Sequence, residues 1–171
     1  MEEVILVNEL DEQIGRMEKM EAHRKALLHR AFSVFIFNDQ GEMLLQQRAV
    51  SKYHSGGLWT NACCSHPRPE EATEDAALRR LQEELGFTVS LTKIFDFRYN
   101  ASFTNGLTEH EFDHVFVGTY NGKINPNPVE VQDYCYKKME EIGSSIKSHP
   151  HKYTAWFCIA FPKVAEWVAN R

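Results

Sequence analysis

No stretch of the 171 residues approaches the ~20 apolar residues that a membrane span requires, so no spanning helix is expected. The start of the chain lacks the pattern of a secretory leader: Met1-Glu2-Glu3 is acidic, and the apolar run at 4–7 is too short for a leader core. Cysteine is scarce. Cys63, Cys64, Cys135 and Cys158 make no CxxC pair of the zinc type and no disulfide framework. Adjacent cysteines rarely bridge each other, and a reducing cytoplasm is the expected setting. An excess of positive charge is also missing. Nineteen Lys and Arg face 24 Asp and Glu, a net charge of -5, which argues against non-specific nucleic-acid binding. Any anionic ligand must then be held by a local basic cluster. No internal repeat, low-complexity segment or linker divides the sequence. With 43% hydrophobic and 25% charged residues, residues 1–171 read as one globular domain with its own core.

What is present is patterned for an α+β domain. Residues 4–7 are expected to form an edge strand, and 11–28 a short polar helix around Met17, Lys19 and Met20, then a connection. A strand at 31–37, a turn at 38–41 and a returning strand at 42–48 follow. A loop with two glycines spans 51–57, and 58–63 is extended again. The clearest helix is 72–85. Glu70, Glu71, Glu74 and Asp75 crowd its start, where negative charge complements the helix dipole. Ala77, Leu78, Leu81 and Leu85 form its apolar stripe, and Gly86 stands at the C-terminal stop. Strands are predicted over 93–99, 108–120 and 129–136, and helices over 137–146 and 154–170, the last with Pro162 as a kink or break. Strands first and helices last suggest a mixed, mainly antiparallel sheet.

Three groups of residues could carry chemistry. The segment Trp59-Thr60-Asn61-Ala62-Cys63-Cys64-Ser65-His66-Pro67 offers a thiol and an imidazole two residues apart, although paired cysteines often serve only as small core residues. In the strand at 108–120, Glu109 and Glu111 share a face that continues into Val115 and Val117, because side chains alternate with period two. If that face is covered, two carboxylates there are costly unless a metal relieves them. His23, His29 and His66 are the histidines placed to join them in a mixed N/O site suited to Mn²⁺, Mg²⁺ or Zn²⁺. Solvated carboxylates and ordinary hydrogen-bonded histidines are the alternative. Lys19, Arg48, Lys52, Arg79 and Arg80 form the third group, a phosphate site if the fold gathers them around one pocket.

Counting Ser65-x5-Glu71-x7-Arg79-Arg80-Leu81-Gln82-Glu83-Glu84-Leu85-Gly86-Phe87 gives the spacing of the Nudix box, G-x5-E-x7-R-E-U-x-E-E-x-G-U with U apolar. Ser65 replaces its first glycine, and Arg80 replaces the first glutamate of its R-E-U-x-E-E core. That exchange puts a cation where Nudix hydrolases hold a catalytic Mg²⁺, which disfavours hydrolysis and favours binding an intact diphosphate. The sequence resembles the type I isopentenyl-diphosphate Δ-isomerases, which have a Nudix-like fold. The matching segments are 29–38, 45–52, 58–67, 79–86, 97–101 and 109–111.

The resemblance implies a single Nudix-like α/β/α sandwich and conversion of isopentenyl diphosphate to dimethylallyl diphosphate by a 1,3-allylic proton shift. It places the reactive cysteine on Cys64, the second proton-transfer group on Glu111 and an active-site tyrosine on Tyr99. Metal ligands fall on His23, His29, His66, Glu109 and Glu111. A second Mg²⁺, bridging to the substrate diphosphate, falls on Glu84 and the Cys64 carbonyl. Diphosphate contacts fall on Lys19, Arg48, Lys52 and Arg80, and an aromatic facing the reacting carbons on Trp156. The implied partner is a small allylic or homoallylic diphosphate, with no nucleic acid, no membrane, and a monomer or weak homodimer. The resemblance leaves open which of Cys64 and Glu111 protonates in the forward direction. A Nudix-type diphosphate hydrolase and a non-enzymatic metal-stabilised binding domain are the competing readings. Arg80 and the Cys64/His66 pair argue against the first, and the Nudix spacing joined to the basic cluster argues against the second.

Overall fold

A computed structural model describes residues 2–171. In chain order the elements are β1 (Glu3–Val7), β2 (Gln13–Glu18), α1 (Lys19–Arg24), β3 (His29–Phe37), β4 (Met43–Arg48), β5 (Trp59–Thr60) and β6 (Cys63–Ser65). There follow α2 (Thr73–Leu85), β7 (Thr92–Ser102), β8 (Thr108–Thr119), β9 (Val131–Lys137), α3 (Met139–Ser148), a 3-10 turn (Pro150–Lys152) and α4 (Ala155–Ala169). All nine strands described belong to one mixed sheet. β3 is its hub. It runs parallel to β8 over nine residue pairs and antiparallel to β6, and it meets β4 only at Phe37↔Met43. Every other pairing is antiparallel.

Alternation along β3 sorts its side chains into two cores. Phe32, Val34 and Ile36 pack with Ala77, Leu81 and Leu85 of α2. Phe35 and Phe37 pack with Ile142 of α3 and with Phe157, Ala160 and Phe161 of α4. The result is an α+β sandwich with helices on both faces of a mixed sheet. α2 ends where its sequence indicates. Gly86 takes φ 76°, and a Cβ there would lie 2.7 Å from the Asn125 carbonyl oxygen, so only glycine fits.

Three expectations need correction. Residues 13–18 form a strand, not part of a helix. They pair with β1 from Glu3↔Glu18 to Val7↔Gln13, and this ladder satisfies backbone groups that a short polar helix would leave to water. The helix is confined to Lys19–Arg24. β1 is consequently not an edge, because it lies between β2 and the start of β3, at Leu6↔His29. α4 continues through Pro162 without a break. Pro162 itself is exposed, so its ring does not enter the core that Phe157, Phe161 and Val164 fill.

Candidate active site

The face of the sheet under α4 changes character along its length. At one end it presents Phe35, Phe37, Val115 and Val117 to the helix. At the other it carries His29, Ser33, Glu109, Glu111 and Asp113, all buried. Register explains their convergence. Residues opposite each other on neighbouring strands project to the same face. β3 pairs His29 with Glu111, and β7 pairs Tyr99 with the same Glu111, so three polar side chains form one row across three strands. Two same-face positions along β3, β6 pairs Cys64 with Ser33, and Cys63 with the neighbouring Val34. Cys64 therefore faces the polar end, whereas Cys63 enters the α2 core.

The metal-type residues gather in one place. His23, His29, His66, Glu109 and Glu111 offer donor atoms that all lie within 4.8 Å of one another. His23 comes from α1, where its Nδ1 donates to the Lys19 carbonyl at 2.6 Å, leaving Nε2 to face the group. His29 Nδ1 similarly donates to the Leu27 carbonyl at 2.9 Å. His66 Nε2 lies 2.7 Å from Glu111 Oε2. His29 Nε2 is 3.4 Å from that same oxygen, too poorly aligned for a hydrogen bond. Among the described residues the Glu109 Oε2 atom also lacks a hydrogen-bond partner. Unpartnered buried donors and acceptors cost free energy. Three imidazoles and two carboxylates with such vacant atoms fit a divalent cation of mixed N/O preference.

The titration behaviour follows from the same crowding. Burial opposes the charged form of His23, but the Glu109 hydrogen bond and charge outweigh it and raise the ring's pKa above 6.5. His29 rises likewise, burial being overcome by Glu111. His66 falls below 6.5, because burial and the neighbouring His29 outweigh its own bond to Glu111. Glu109 is held well below the usual carboxylate range: burial pushes it up, and surrounding donors, His23 and His54 among them, more than reverse this. Burial and the Glu111 charge push Tyr99 well up, so it is a neutral phenol that donates to Glu111 Oε1.

The thiol has its own surroundings. Trp156 Nε1, in the first turn of α4, donates to Cys64 Sγ at 3.1 Å. The thiol lies 3.1 Å from Asn61 Oδ1 and 3.4 Å from Ser33 Oγ. Asn61 is fixed as an acceptor there, because its Nδ2 donates to the carbonyls of Val34 and Cys63. Ser33 in turn donates to Asp113 Oδ2 at 2.7 Å. Burial, followed by the Asp113 charge, pushes the Cys64 pKa far above 9.0, so it is a protonated thiol at neutral pH. Burial and Glu111 also push Asp113 well above the carboxylate range.

Cys64, Tyr99, His66, Glu109, Glu111 and Trp156 line a narrow cavity. Arg48, Tyr53, Cys64, Ser65 and His66 also border a wider, open cleft, which holds Lys19, Lys52, Arg79, Arg80 and Glu84. The other site residues picked from the sequence thus line one of two adjoining spaces, while His23 and His29, both buried, line neither and meet the rest only through the donor group. The basic groups are paired with acids. Lys19 Nζ sits 3.0 Å from Glu2 and Lys52 Nζ 2.6 Å from Glu130. Arg79 grips Glu71 with two nitrogens, at 2.8 and 2.9 Å. Arg80 reaches Glu83 and Glu84, both at 2.8 Å, and Glu130 at 3.3 Å. Burial works against its charge, yet the Glu84 carboxylate raises its pKa. Glu84 also accepts from Gln46 Nε2 at 2.9 Å.

Sequence reasoning missed several members of the site. Asp113 was legible as the next member of the Glu109, Glu111 face. Ser33, Asn61, Tyr53, Phe103 and His54 carried no spacing signal, since the fold alone brings them in. His54 is the notable omission: its Nε2 lies 2.6 Å from Glu109 Oε1.

The NUDIX domain model matches residues 27–157. A protein of Aromatoleum aromaticum named isopentenyl-diphosphate Delta-isomerase 2 is 46% identical, the match covering 95% of this chain and 86% of the relative. One of Pectobacterium atrosepticum named isopentenyl-diphosphate Delta-isomerase is 48% identical, covering 96% and 92%. Among solved structures, a Deinococcus radiodurans protein superposes with a TM-score of 0.80 at 21% identity, covering 95% and 98%. A MutT protein from Methanosarcina mazei gives 0.67 at 20% identity, covering 81% and 94%. At those identities the structural likeness speaks for the fold alone.

Proposed function

Since the chain belongs to the isopentenyl-diphosphate Delta-isomerases, enzymes built here on a NUDIX domain, we propose that it converts isopentenyl diphosphate to dimethylallyl diphosphate with Cys64 and Glu111 as the two proton-transfer groups. One observation carries this assignment. The Cys64 thiol and the Glu111 carboxyl line the same narrow cavity, and that cavity opens beside the basic cleft.

The chemistry accounts for the residue types. A proton adds to the terminal alkene carbon, leaving tertiary cationic character at the branched carbon, and another proton leaves the neighbouring carbon. An unactivated alkene is a poor base, so the proton must come from a positioned acid in a dry pocket. The Cys64 thiol is kept protonated by burial and can give or take one of the two protons. Glu111 exchanges the other, with its Oε1 held by the Tyr99 hydroxyl and its Oε2 by His66. Trp156 is fixed to the thiol through Nε1, and its ring can stabilise the cation by ~1–2 kcal/mol. In the adjoining cleft Lys19, Arg48, Lys52 and Arg80 would hold the diphosphate. That remote binding energy orients the small hydrocarbon end.

His23, His29, His66, Glu109 and Glu111 would hold a divalent metal (Mn²⁺, Mg²⁺ or Zn²⁺), which when bound neutralises the buried carboxylates and fixes their orientation. Glu84 and the Cys64 carbonyl would hold Mg²⁺ with the substrate diphosphate. No described helix is long and apolar enough to cross a membrane. Four free thiols support a reducing cytoplasm as the setting. We take the working form to be a monomer or weak homodimer.

Hydrolysis is the less favoured reading, because Arg80 stands where a Nudix hydrolase places the first metal-binding glutamate of its core, and it engages Glu83 at 2.8 Å. Proton NMR of isopentenyl diphosphate with the protein in D₂O separates the readings. Allylic product with deuterium incorporation is expected. Phosphate release would establish the hydrolase, and an unchanged substrate would leave a binding domain.

A further inference from the structure

We propose that His54 is a positioning residue that holds the carboxylate of Glu109 in place for the metal. The proposal rests on the metal-site reading above. Two imidazoles converge on one oxygen: His23 Nε2 at 2.8 Å and His54 Nε2 at 2.6 Å from Glu109 Oε1. The other oxygen, Oε2, has no hydrogen-bond partner among the described residues. The two rings are not equivalent. His23 belongs to the five-residue donor group, and its Nδ1 is committed to the Lys19 carbonyl, so Nε2 is its only atom for a metal. His54 is outside that group, and its Nδ1 lies 3.2 Å from the neighbouring Ser55 hydroxyl. With His23 Nε2 taken by the metal, His54 is the donor left on Oε1, which presents Oε2 as a single, oriented ligand atom. Outer donors of this kind orient metal ligands and commonly change metal affinity by about 10–100-fold.

The structure holds His54 rigidly enough for the task. It sits at the tip of a loop closed by Arg48 N–H to the Leu58 carbonyl at 2.8 Å and Gly57 N–H to the Arg48 carbonyl at 2.9 Å. Arg48 Nη2 donates to the His54 carbonyl at 3.2 Å, and Asn105 Nδ2 donates to the Tyr53 carbonyl at 3.0 Å. The ring is stacked on Phe103, with centroids 4.5 Å apart and planes at 13°, and it meets Trp156 edge-on at 5.6 Å. Lys52, two residues before it, stands in the basic cleft. One short loop thus reaches both the cleft and the metal carboxylate.

The ordinary alternative is that His54 merely fills an aromatic gap. Two variants separate the roles. His54→Phe keeps the stacking and removes the donor. His54→Gln removes the ring and keeps an N–H at a similar reach. Manganese affinity is measured on each by competition with a chelator, without substrate, and circular dichroism confirms the fold. A weakening of about 10–100-fold in His54→Phe is expected, with His54→Gln within about threefold of wild type. His54→Leu stands in for a phenylalanine variant that does not fold. Unchanged affinity in His54→Phe overturns the proposal, as does an equal loss in both variants. A wild-type protein that isomerises yet binds no manganese overturns the metal-site reading together with it. A wild-type protein that binds manganese but does not isomerise sinks only the isomerase assignment.

Discussion

Two cysteines adjacent in the chain meet different physics. Cys63 is fully buried among Phe32, Val34 and Leu81, with its thiol 3.6 Å from Glu84. Cys64 points the opposite way, into the cavity with Trp156 and Glu111. Alternation in a short strand is the whole reason. Cys64→Ala is therefore expected to lower kcat by about 10²–10⁴, the range for removing a positioned acid or base. Cys63→Ala should retain most activity and lose roughly 1 kcal/mol of stability to the small cavity it leaves. Steady-state kinetics and thermal melts of both variants check this. An inactive Cys63 variant beside an active Cys64 variant would reverse the assignment.

At the scale of an element, α2 does two jobs with its two faces. Its apolar stripe packs under β3, and its other face presents Arg80 to the cleft, four residues before Glu84 and on the same side. Were Arg80 only a surface partner of Glu83, its removal would cost ~0.3–0.5 kcal/mol and nothing kinetic. As a diphosphate contact it should be worth roughly 1.5–3 kcal/mol. Arg80→Ala is thus predicted to lower kcat/KM by about tenfold to more than a hundredfold. The melting temperature should also fall by a few degrees, because Glu84 is buried and loses its cationic partner. Adding Glu84→Gln should restore the melting temperature without restoring kcat/KM. Recovery of both together would assign Arg80 a purely structural role.

For the molecule as a whole, the sheet gathers more buried carboxylate than apolar packing can tolerate alone. Glu109, Glu111 and Asp113 stand on successive same-face positions of β8, all buried. Metal binding is then coupled to stability as well as to rate. A ligand present at about a hundred times its Kd adds ~2.7 kcal/mol to a fold that alone can bind it. Chelation should abolish activity, lower the melting temperature, and be reversed by Mn²⁺ or Mg²⁺. Glu109→Gln and His66→Ala should lose bound metal and rate together. Elemental analysis of chelated and reconstituted samples checks this, and a fully active metal-free protein would refute it.

The sequence by itself determined whatever has a local period or a local cap. The stripe of α2 and its stop at Gly86 were readable, as was the alternation that puts Glu109 and Glu111 on one face of β8. The resemblance added the roles of residues that no spacing could rank. Tertiary structure decided the rest. β3 and β8, some 80 residues apart in the chain, lie parallel in a register that sets His29 beside Glu111, and no local pattern encodes that register. Residues 13–18 looked helical until β1 claimed them as a strand, and that ladder delivers α1 and His23 to the site. His54 arrives on a loop whose sequence says only that it turns. Periodicity and capping act over a few residues and can be read from those residues. Register and loop docking are set by which buried surfaces meet across the sheet, and only the folded chain brings those together.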